Sequence, residues 1–372
     1  KAIKNATGKP GKEVYGNYID LINQRYKTLT PSSKNYDQNI KYIDDKGSAN
    51  LLPKWNEDGD MIAYLSNQNH DYFGSTDLFI YNLNNNKSNK IVDGVVSRPT
   101  WKGSAIIYSK RSVLPNKDGS RYFDLYQFNL ISKKETRLTK NLRAFSPVFS
   151  NIDSSIYYLS TYDGTQNIFK INLETNKSEK ITDFNNHEII NNLTYDNYNN
   201  QLLFDMTTNH NKTIYFLSLA DSALGKYIDA DSWDARNADV FNNGIVYSDD
   251  RSGIFNLYYI DTTKQGYVSN TNGGAFMPDY HTNGKLVYSH FQNGKFSIAL
   301  LDTVEILNQD QIGYSDNFYK KNKSLMSNII GDVKDSSVAY EDHFPPMFFM
   351  PRATMDYGRI KLGSYFYSSE IL

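Results

Sequence analysis

The chain contains no cysteine, so it can form neither disulfide bonds nor thiolate metal sites. Long apolar runs are missing too, since none approaches the about 20 residues that a membrane-spanning helix requires. Charge of one sign is not in excess, because 40 basic residues face 41 acidic ones. A balanced charge removes the electrostatic argument for a nucleic-acid-binding protein. These absences exclude disulfide-stabilised, helical membrane and nucleic-acid-binding classes.

Motifs that carry catalysis are also absent from the sequence. It has no Gly-x-Ser-x-Gly, no Gly-x-Gly-x-x-Gly, no P-loop and no His-Glu-x-x-His. The six histidines do not show the spacing of metal ligands, and we interpret them as surface or half-buried side chains. The chain is therefore predicted not to be an enzyme and to hold no cofactor.

Aromatic residues are abundant, with 30 Tyr and 20 Phe. A tyrosine ring can pack while its hydroxyl stays in water, so this excess favours half-buried β-strands. One segment differs, because residues 12–29 place apolar side chains four positions apart. That spacing predicts a single amphipathic helix before an otherwise all-β chain.

A repeat organises the region from about residue 36 to residue 302. Each copy starts with a small anchor, usually proline, any residue and then an aromatic one. Three more strand-like segments follow, separated by Asn-Gly or Asp-Gly turns. A repeat of about 40–45 residues with four strands is typical of β-propeller blades. The six anchors are residues 53–55, 99–101, 147–149, 193–195, 239–241 and 278–280.

The sixth copy lacks a fourth strand of its own. A short strand near the N-terminus, within residues 36–45, has the texture of a fourth strand and directly precedes the first anchor. Pairing it with the last copy would remove the open edges that a broken ring exposes. The sequence therefore predicts a six-bladed propeller of four-stranded blades, closed by this N-terminal strand.

The flanking segments differ in texture from the repeats. Residues 1–35 hold the helix and a linker, and residues 303–350 form a polar linker. Residues 351–372 alternate like a strand that has no partner, and such a strand is unstable alone in water. The chain begins with Lys1 rather than Met, so we expect a fragment or a processed chain.

The anchors, the Asp-Gly turns and the strands beginning with Asp-Leu or Asn-Leu resemble the TolB-like (WD40-like, PD40) β-propeller family. The first blade comes closest to its Pro-x-Trp-Ser-Pro-Asp-Gly core, with Pro53, Trp55, Asp58 and Gly59 at matching positions. The later copies diverge from that core. The resemblance covers residues 36–302 and implies a propeller that serves interaction rather than catalysis.

A narrower resemblance comes from three segments, residues 143–147, 250–258 and 272–278. They look like the propellers of large bacterial envelope proteins that lie between a peptidase-like domain and an outer-membrane β-barrel. This resemblance implies a location in the periplasm or at the outer membrane of a Gram-negative-type bacterium. It also implies that residues 351–372 are the first strand of a truncated C-terminal barrel.

Carboxylates occur close together in the chain at several places. Asp44 and Asp45, like Asp249 and Asp250, are adjacent pairs, and adjacent residues of a strand point to opposite faces. We therefore interpret both pairs as turn formers rather than as acid–base pairs. The loose cluster at residues 229–234 leaves a weak possibility of a calcium site.

Three arginines precede the anchors in the loops that lead to the innermost strands. Arg98, Arg143 and Arg236 could point their guanidinium groups at one mouth of the central channel. Such groups suit a carboxylate-bearing ligand or a peptide end. They are the candidate binding residues, with independent surface arginines as the alternative.

The function predicted from these observations is a non-enzymatic protein–protein interaction platform in the bacterial cell envelope. Its partner would be a protein or peptide that docks at the propeller mouth, with possible attachment to an outer-membrane β-barrel. The alternative is a substrate-gating propeller of a hydrolase or peptidase whose catalytic domain lies outside this chain. A sugar or small-molecule binder stays open as well, because it depends on which way the aromatic rings face.

Overall fold

A computed structural model gives the structure of the protein as two units, Lys1–Tyr319 and Lys320–Leu372. The described residues are 2–29, then 40–308 except 118, 163, 187, 209–210, 231–232 and 242, then 312, and then 348–367 except 357. Two helices come first, α1 (Ala2–Thr7) and α2 (Gly11–Leu29), and α2 confirms the predicted helix. Pro10 precedes α2, where its missing N–H costs nothing. In the described ranges, neither helix combines the length and apolarity needed to cross a bilayer.

Six four-stranded antiparallel sheets follow, as the repeat predicts. Blade 1 contains β2–β5, blade 2 β6–β9, blade 3 β10–β13, blade 4 β14–β17 and blade 5 β18–β21, while blade 6 combines β22–β24 with β1. The strands of the first half are β1 (Lys41–Asp44), β2 (Asn50–Trp55), β3 (Met61–Ser66), β4 (Asp77–Asn82), β5 (Lys87–Val92), β6 (Thr100–Lys102), β7 (Ala105–Arg111), β8 (Phe123–Asn129), β9 (Glu135–Arg137), β10 (Ala144–Ser150), β11 (Ser155–Ser160), β12 (Asn167–Asn172) and β13 (Ser178–Lys180). Those of the second half are β14 (Ile189–Asp196), β15 (Gln201–Thr208), β16 (Asn211–Ser218), β17 (Leu224–Ile228), β18 (Ala235–Phe241), β19 (Gly244–Asp249), β20 (Asn256–Ile260), β21 (Gln265–Tyr267), β22 (Ala275–Tyr280), β23 (Leu286–Gln292) and β24 (Lys295–Leu301).

The ring closes as the sequence predicts. Strand β1 pairs antiparallel with β24, with Lys41 opposite Leu300 and Tyr42 opposite Ala299. The buried carboxylate of Asp44 accepts a hydrogen bond from the hydroxyl of Tyr64 in blade 1. The N-terminal strand therefore supplies the fourth strand of blade 6 and also contacts the blade that follows it.

The aromatic residues of the first two anchors pack between blades. Trp55 belongs to a buried cluster with Val287 and Leu300 of blade 6, and Trp101 to one with Ala63 and Leu65 of blade 1. Because each of these rings covers the preceding blade, the anchors hold neighbouring blades together by burying apolar area. The repeat of the anchor is thus a requirement of blade packing.

The first strand of five blades contains the same β-bulge. A residue with positive φ lies two positions before the inward-facing residue, and it is not glycine in any of these blades. These residues are Leu52, Ser146, Asn192, Asn237 and Met277. Blade 2 has Arg98 at the corresponding position, outside its three-residue first strand.

Cross-strand register corrects the alignment of the fifth anchor by one residue. Asp239 lies opposite Val246, as Lys54 lies opposite Ala63 and Asp279 lies opposite Val287. The fifth anchor therefore starts at residue 238, with Asp239 in its central position rather than its first. The sequence alignment misplaced it because Phe241 mimics the aromatic residue, whereas Val240 holds that position.

The second unit contains a β-hairpin of β25 (Phe348–Asp356) and β26 (Arg359–Tyr367). The sequence predicts a single strand in residues 351–372, whereas two strands pair here with each other across Gly358, whose φ is 71°. The predicted linker, residues 303–350, lies mostly outside the described residues. The assignment of this end to a barrel stays a prediction.

Candidate functional site

The two ends of the propeller differ in the connections that they carry. Because neighbouring strands are antiparallel, the connections from strand two to strand three and from strand four to the next blade lie at one end, which we call the loop face. The remaining turns lie at the opposite end, the turn face. Arg143 and Arg236 lie where β10 and β18 begin, at the loop face.

Arg98, the first of the predicted site residues, lies on the inner wall of the ring and is 6% exposed. Its Nη2 donates to the carbonyl oxygens of Pro53 at 3.3 Å and Pro278 at 2.6 Å, and to the Asp279 carboxylate at 3.1 Å. These acceptors belong to blades 1 and 6. Arg98 therefore links three blades through charge-assisted hydrogen bonds.

Arg143 and Arg236 have other partners. The guanidinium of Arg143 stacks 4.6 Å from the ring centroid of Tyr122. That of Arg236 lies 4.3 Å from the ring of Phe255 and pairs with Asp234. The three predicted arginines share none of these partners, so a common ligand at the channel mouth stays a prediction.

Four charged side chains meet on the inner wall of the ring. Lys54 Nζ lies 2.5 Å from Asp279 Oδ1 and 3.6 Å from Asp239 Oδ1, and Arg98 contacts the same Asp279 oxygen. We call Lys54, Arg98, Asp239 and Asp279 the channel cluster. Two cations and two carboxylates make it formally neutral, which limits the cost of burying it.

Burial shifts the pKa values of the channel cluster. It raises the pKa of Asp279 above the usual aspartate range, and the nearby Lys54 ammonium opposes this change. Burial alone would lower the pKa of Lys54, but the carboxylates of Asp239 and Asp279 outweigh it and raise that pKa. The Lys54 and Arg98 contacts with Asp279 join blades 6, 1 and 2, so the channel cluster braces the ring.

A ring of hydrogen bonds extends from this cluster around the inner wall. Three of these bonds run from a backbone N–H to a side chain of the preceding blade. The Asp279 carboxylate accepts from the backbone N–H of Trp55 at 2.6 Å, the Asp239 carboxylate from that of Tyr280 at 2.8 Å, and the Thr100 hydroxyl from that of Phe149 at 3.3 Å. Thr194 donates instead to the Ala238 carbonyl at 2.8 Å, and the Trp101 indole donates to the Lys54 carbonyl at 3.0 Å. Between blades 3 and 4 the equivalent residue is Val148, which has no polar atom to offer.

Sequence reasoning identified Arg98 but missed Lys54, Asp239 and Asp279. All three occupy the central position of an anchor once the fifth anchor is aligned correctly. The signal was the pattern of lysine, threonine, valine, threonine, aspartate and aspartate at that position. It becomes informative only when the six positions are known to face one another across a closed ring.

A cavity of about 350 Å³ opens beside the channel cluster toward the turn face. Its wall includes Lys54 and Arg98, and its rim includes turn residues that follow the first strands, such as Asn56, Asn151 and Asn197. Trp55 and Trp101 line it but are 4% and 6% exposed, since their rings pack between blades. These two indole rings therefore offer little stacking surface, whereas Phe149, Tyr195 and Tyr280 also line the cavity and are partly exposed.

The adjacent carboxylates have separate partners, but Asp44 and Asp249 are buried within β1 and β19 and are therefore not the turn formers that the sequence predicts. Asp249 is bound by Arg251 and by the hydroxyl of Tyr267, whereas Asp250 accepts from the Asp234 N–H. Asp44 bonds to Tyr64, while Asp45 lies near Lys295.

The possible calcium site at residues 229–234 is only partly visible, because Asp231 lies outside the described residues. Asp229 pairs with Lys226, and Asp234 pairs with Arg236. In the described part of the chain, no three acidic or histidine side chains group as metal ligands would. Of the histidines in that part, His290 bonds to Tyr42 and His70 to Asp77, so each has its own hydrogen-bond partner.

Comparison with known proteins gives matches at the level of structure only. No family model matches the chain, and no curated protein matches it significantly. A protein of unknown function from Bacteroides thetaiotaomicron superposes with a TM-score of 0.54 and 11% identity, over 72% of this chain and 76% of that one. This likeness shows the propeller fold.

Weaker matches include TolB proteins and propeller-bearing enzymes. TolB from Acinetobacter baumannii has a TM-score of 0.43 and 12% identity, over 69% of this chain and 56% of its own. An acylaminoacyl peptidase from Pyrococcus horikoshii has a TM-score of 0.47 and 11% identity, over 87% of this chain and 51% of its own. The chain thus spans less than two thirds of both proteins. Such distant likeness does not distinguish a binding role from an enzymatic one.

Proposed function

We propose that the protein is a non-enzymatic protein–protein interaction platform of the bacterial cell envelope, and that its partner docks on the loop face. The observation that carries this proposal is a set of arginines stacked on aromatic rings at that one end. They are Arg143 on Tyr122, Arg236 on Phe255 and Arg251 on Trp233. Arginine and aromatic residues dominate the energetics of protein interfaces.

Exposed apolar side chains accompany these arginines on the loop face. Tyr72 and Leu114 are each 77% exposed, and Tyr162 is 64% exposed, all in connections between second and third strands. Propeller blades are rigid, so loops that they carry keep a fixed arrangement for a partner. A partner covering these side chains would bury apolar area and contact the stacked guanidinium groups.

The test is recovery of a partner from an envelope extract with the full chain as bait. Replacing Tyr72 and Leu114 together by serine should abolish recovery, because both side chains belong to the proposed interface. The matched control replaces Ile131 and Tyr198, which are equally exposed on the turn face, and should leave recovery unchanged. Equal recovery by both variants, or recovery of cytosolic proteins only, would contradict the proposal.

The predicted channel-mouth role of the arginines has its own test. Arg143 and Arg236 are replaced by glutamine, while Arg98 is kept because it braces the ring. We expect weaker binding of the recovered partner with unchanged thermal unfolding. Unchanged affinity would remove these two arginines from the site.

The hairpin of the second unit supports attachment to an outer-membrane β-barrel, as part of the same proposal. In the half of the hairpin next to the turn, the cross-strand pairs on one face are apolar, Met355 with Ile360 and Ala353 with Leu362, whereas the other face pairs Thr354 with Lys361. In that half, one apolar and one polar face suit a strand pair between lipid and an aqueous interior. Replacing Ile360 by lysine should reduce flotation of the full chain with lipid vesicles, whereas Thr354→Lys on the polar face should not. Equal flotation would contradict the attachment.

A further inference from the structure

A second cavity, of about 830 Å³, lies between blades 1 and 2 near the loop face and is separate from the channel cluster. Blade 2 begins with a strand of only three residues, and the chain before it joins β7 through a single bridge between Val95 and Lys110. The cavity is lined by β5, β7, β8, β9 and the connections around them, and no residue of β6 contributes to it. Its volume falls in the range of about 300–1,000 Å³ that is usual for ligand pockets.

Apolar side chains from both blades line much of this groove. Ile91 and Val96 come from blade 1 and from the link to blade 2, and Phe123 and Phe128 come from β8. Val96 is 41% exposed and Val113, at the rim, is 70% exposed. Covering these side chains with an apolar ligand would remove their surface from water, which is favourable.

Most charged groups of the groove already have counter-charges. Lys110 Nζ donates to both oxygens of Glu135, at 2.6 and 2.8 Å, and Tyr108 donates to the same carboxylate. Asp93 pairs with Lys90 at 2.7 Å. The charges of these lysines and carboxylates therefore compensate one another.

Arg111 is the exception among the charged lining residues that the structure describes. Its guanidinium stacks 4.9 Å from the ring of Phe123, and no described carboxylate lies within ion-pair distance of it. A guanidinium above an aromatic ring keeps its edge free to donate two hydrogen bonds to an anion. The groove thus combines apolar walls with one uncompensated positive charge.

We propose that this groove binds a small amphipathic anion, with its apolar body on Phe123, Phe128 and Val96 and its carboxylate or sulfonate on Arg111. The ligand class follows from the cavity volume and from Arg111, which pairs with no carboxylate among the residues that the structure describes. This site goes beyond the docking of a protein on the loop face, since it needs neither that partner nor the channel cluster.

The test uses two fluorescent probes of nearly equal size, anilinonaphthalene sulfonate and the neutral phenylnaphthylamine, with the full chain. Arg111→Gln should weaken binding of the sulfonate about tenfold, the usual effect of losing one charge-assisted hydrogen bond. Binding of the neutral probe should change little, because the apolar walls are intact. Val96→Asp, which replaces part of the apolar wall by a carboxylate, should weaken both probes, and the sulfonate more than the neutral one.

The matched control is Arg121→Gln, because Arg121 is exposed in the same loop and does not line the groove. It should bind both probes as the wild type does. The proposal is overturned if Arg121→Gln weakens the sulfonate as much as Arg111→Gln does. It is equally overturned if Arg111→Gln weakens both probes alike, or if the wild type binds neither.

Discussion

The two sides of the inner ring differ in the side chains that they place at the channel. On one side, blades 5, 6 and 1 place Asp239, Asp279 and Lys54 at the central anchor position, and Arg98, from the chain just before β6 of blade 2, completes the channel cluster. On the other side, blades 3 and 4 place Val148 and Thr194 at the corresponding positions. The charged half contains the junction of blades 6 and 1, where a paired strand closes the ring. Ionic links are thus concentrated at the closure, while the opposite half relies on apolar packing.

The largest effect should come from removing the closure itself. Deleting residues 36–45 takes away β1, its pairing with β24 and the Asp44–Tyr64 bond, so we expect loss of cooperative folding. Deleting residues 1–10 should leave the unfolding midpoint of the ring nearly unchanged. Circular dichroism melts of both deletions test this, and similar midpoints would show that β1 does not hold the ring.

The next largest effect should be a difference in the stability lost when one side chain is replaced in each half of the ring. Lys54→Met leaves Asp239 and Asp279 buried with less compensation, and breaking a buried ion pair costs about 3–5 kcal/mol. The counterpart in the opposite half, Thr194→Val, removes one hydrogen bond to Ala238 and should cost about 1 kcal/mol. Denaturant unfolding measures both. Equal losses would mean that the channel cluster adds no more than a neutral hydrogen bond.

A buried carboxylate outside the channel cluster makes the stability of the protein depend on pH. Asp205, in β15, accepts hydrogen bonds from neutral groups of Asn192 and Asn237, and burial raises its pKa to about 6. The Lys212 and Arg236 charges oppose this shift without cancelling it. The folded state therefore binds the proton more tightly than the unfolded one, so stability falls as pH rises from about 4 to about 6.

Asp205→Asn should remove this fall. The difference in unfolding free energy between the wild type and the variant should change by about 2–3 kcal/mol between pH 4 and pH 6, in the direction that favours the variant at pH 6. Denaturant unfolding at several pH values measures it. A difference that does not vary with pH would show that Asp205 is ionised as easily in the folded state as in the unfolded chain.

The fold could be predicted because its signals are local and repeated. Anchors, turns and strand alternation occur six times, and the missing fourth strand made β1 the only candidate for closure. The channel cluster could not be predicted, because Lys54 and Asp279 are 225 residues apart and meet only when the ring closes. The sequence showed that Arg98 faces inward but not that its hydrogen bonds are already used by blades 1 and 6. The groove beside Arg111 could not be predicted either, because it brings residues 91–96 together with Phe128 and Glu135, which lie more than 30 residues further along the chain.

The smallest effect is expected from Val148→Thr, a substitution that would extend the ring of hydrogen bonds into the apolar half. Val148 occupies the position where Thr100 accepts the Phe149 N–H in the previous blade, and it faces the anchor of Tyr195 in the same way. Val148→Thr supplies the missing acceptor and should raise the unfolding free energy by about 0.5–1 kcal/mol. The matched change Thr100→Val should lower it by a similar amount. If Val148→Thr lowers the unfolding free energy instead, its hydroxyl is buried without a partner, and this junction depends on apolar contact alone.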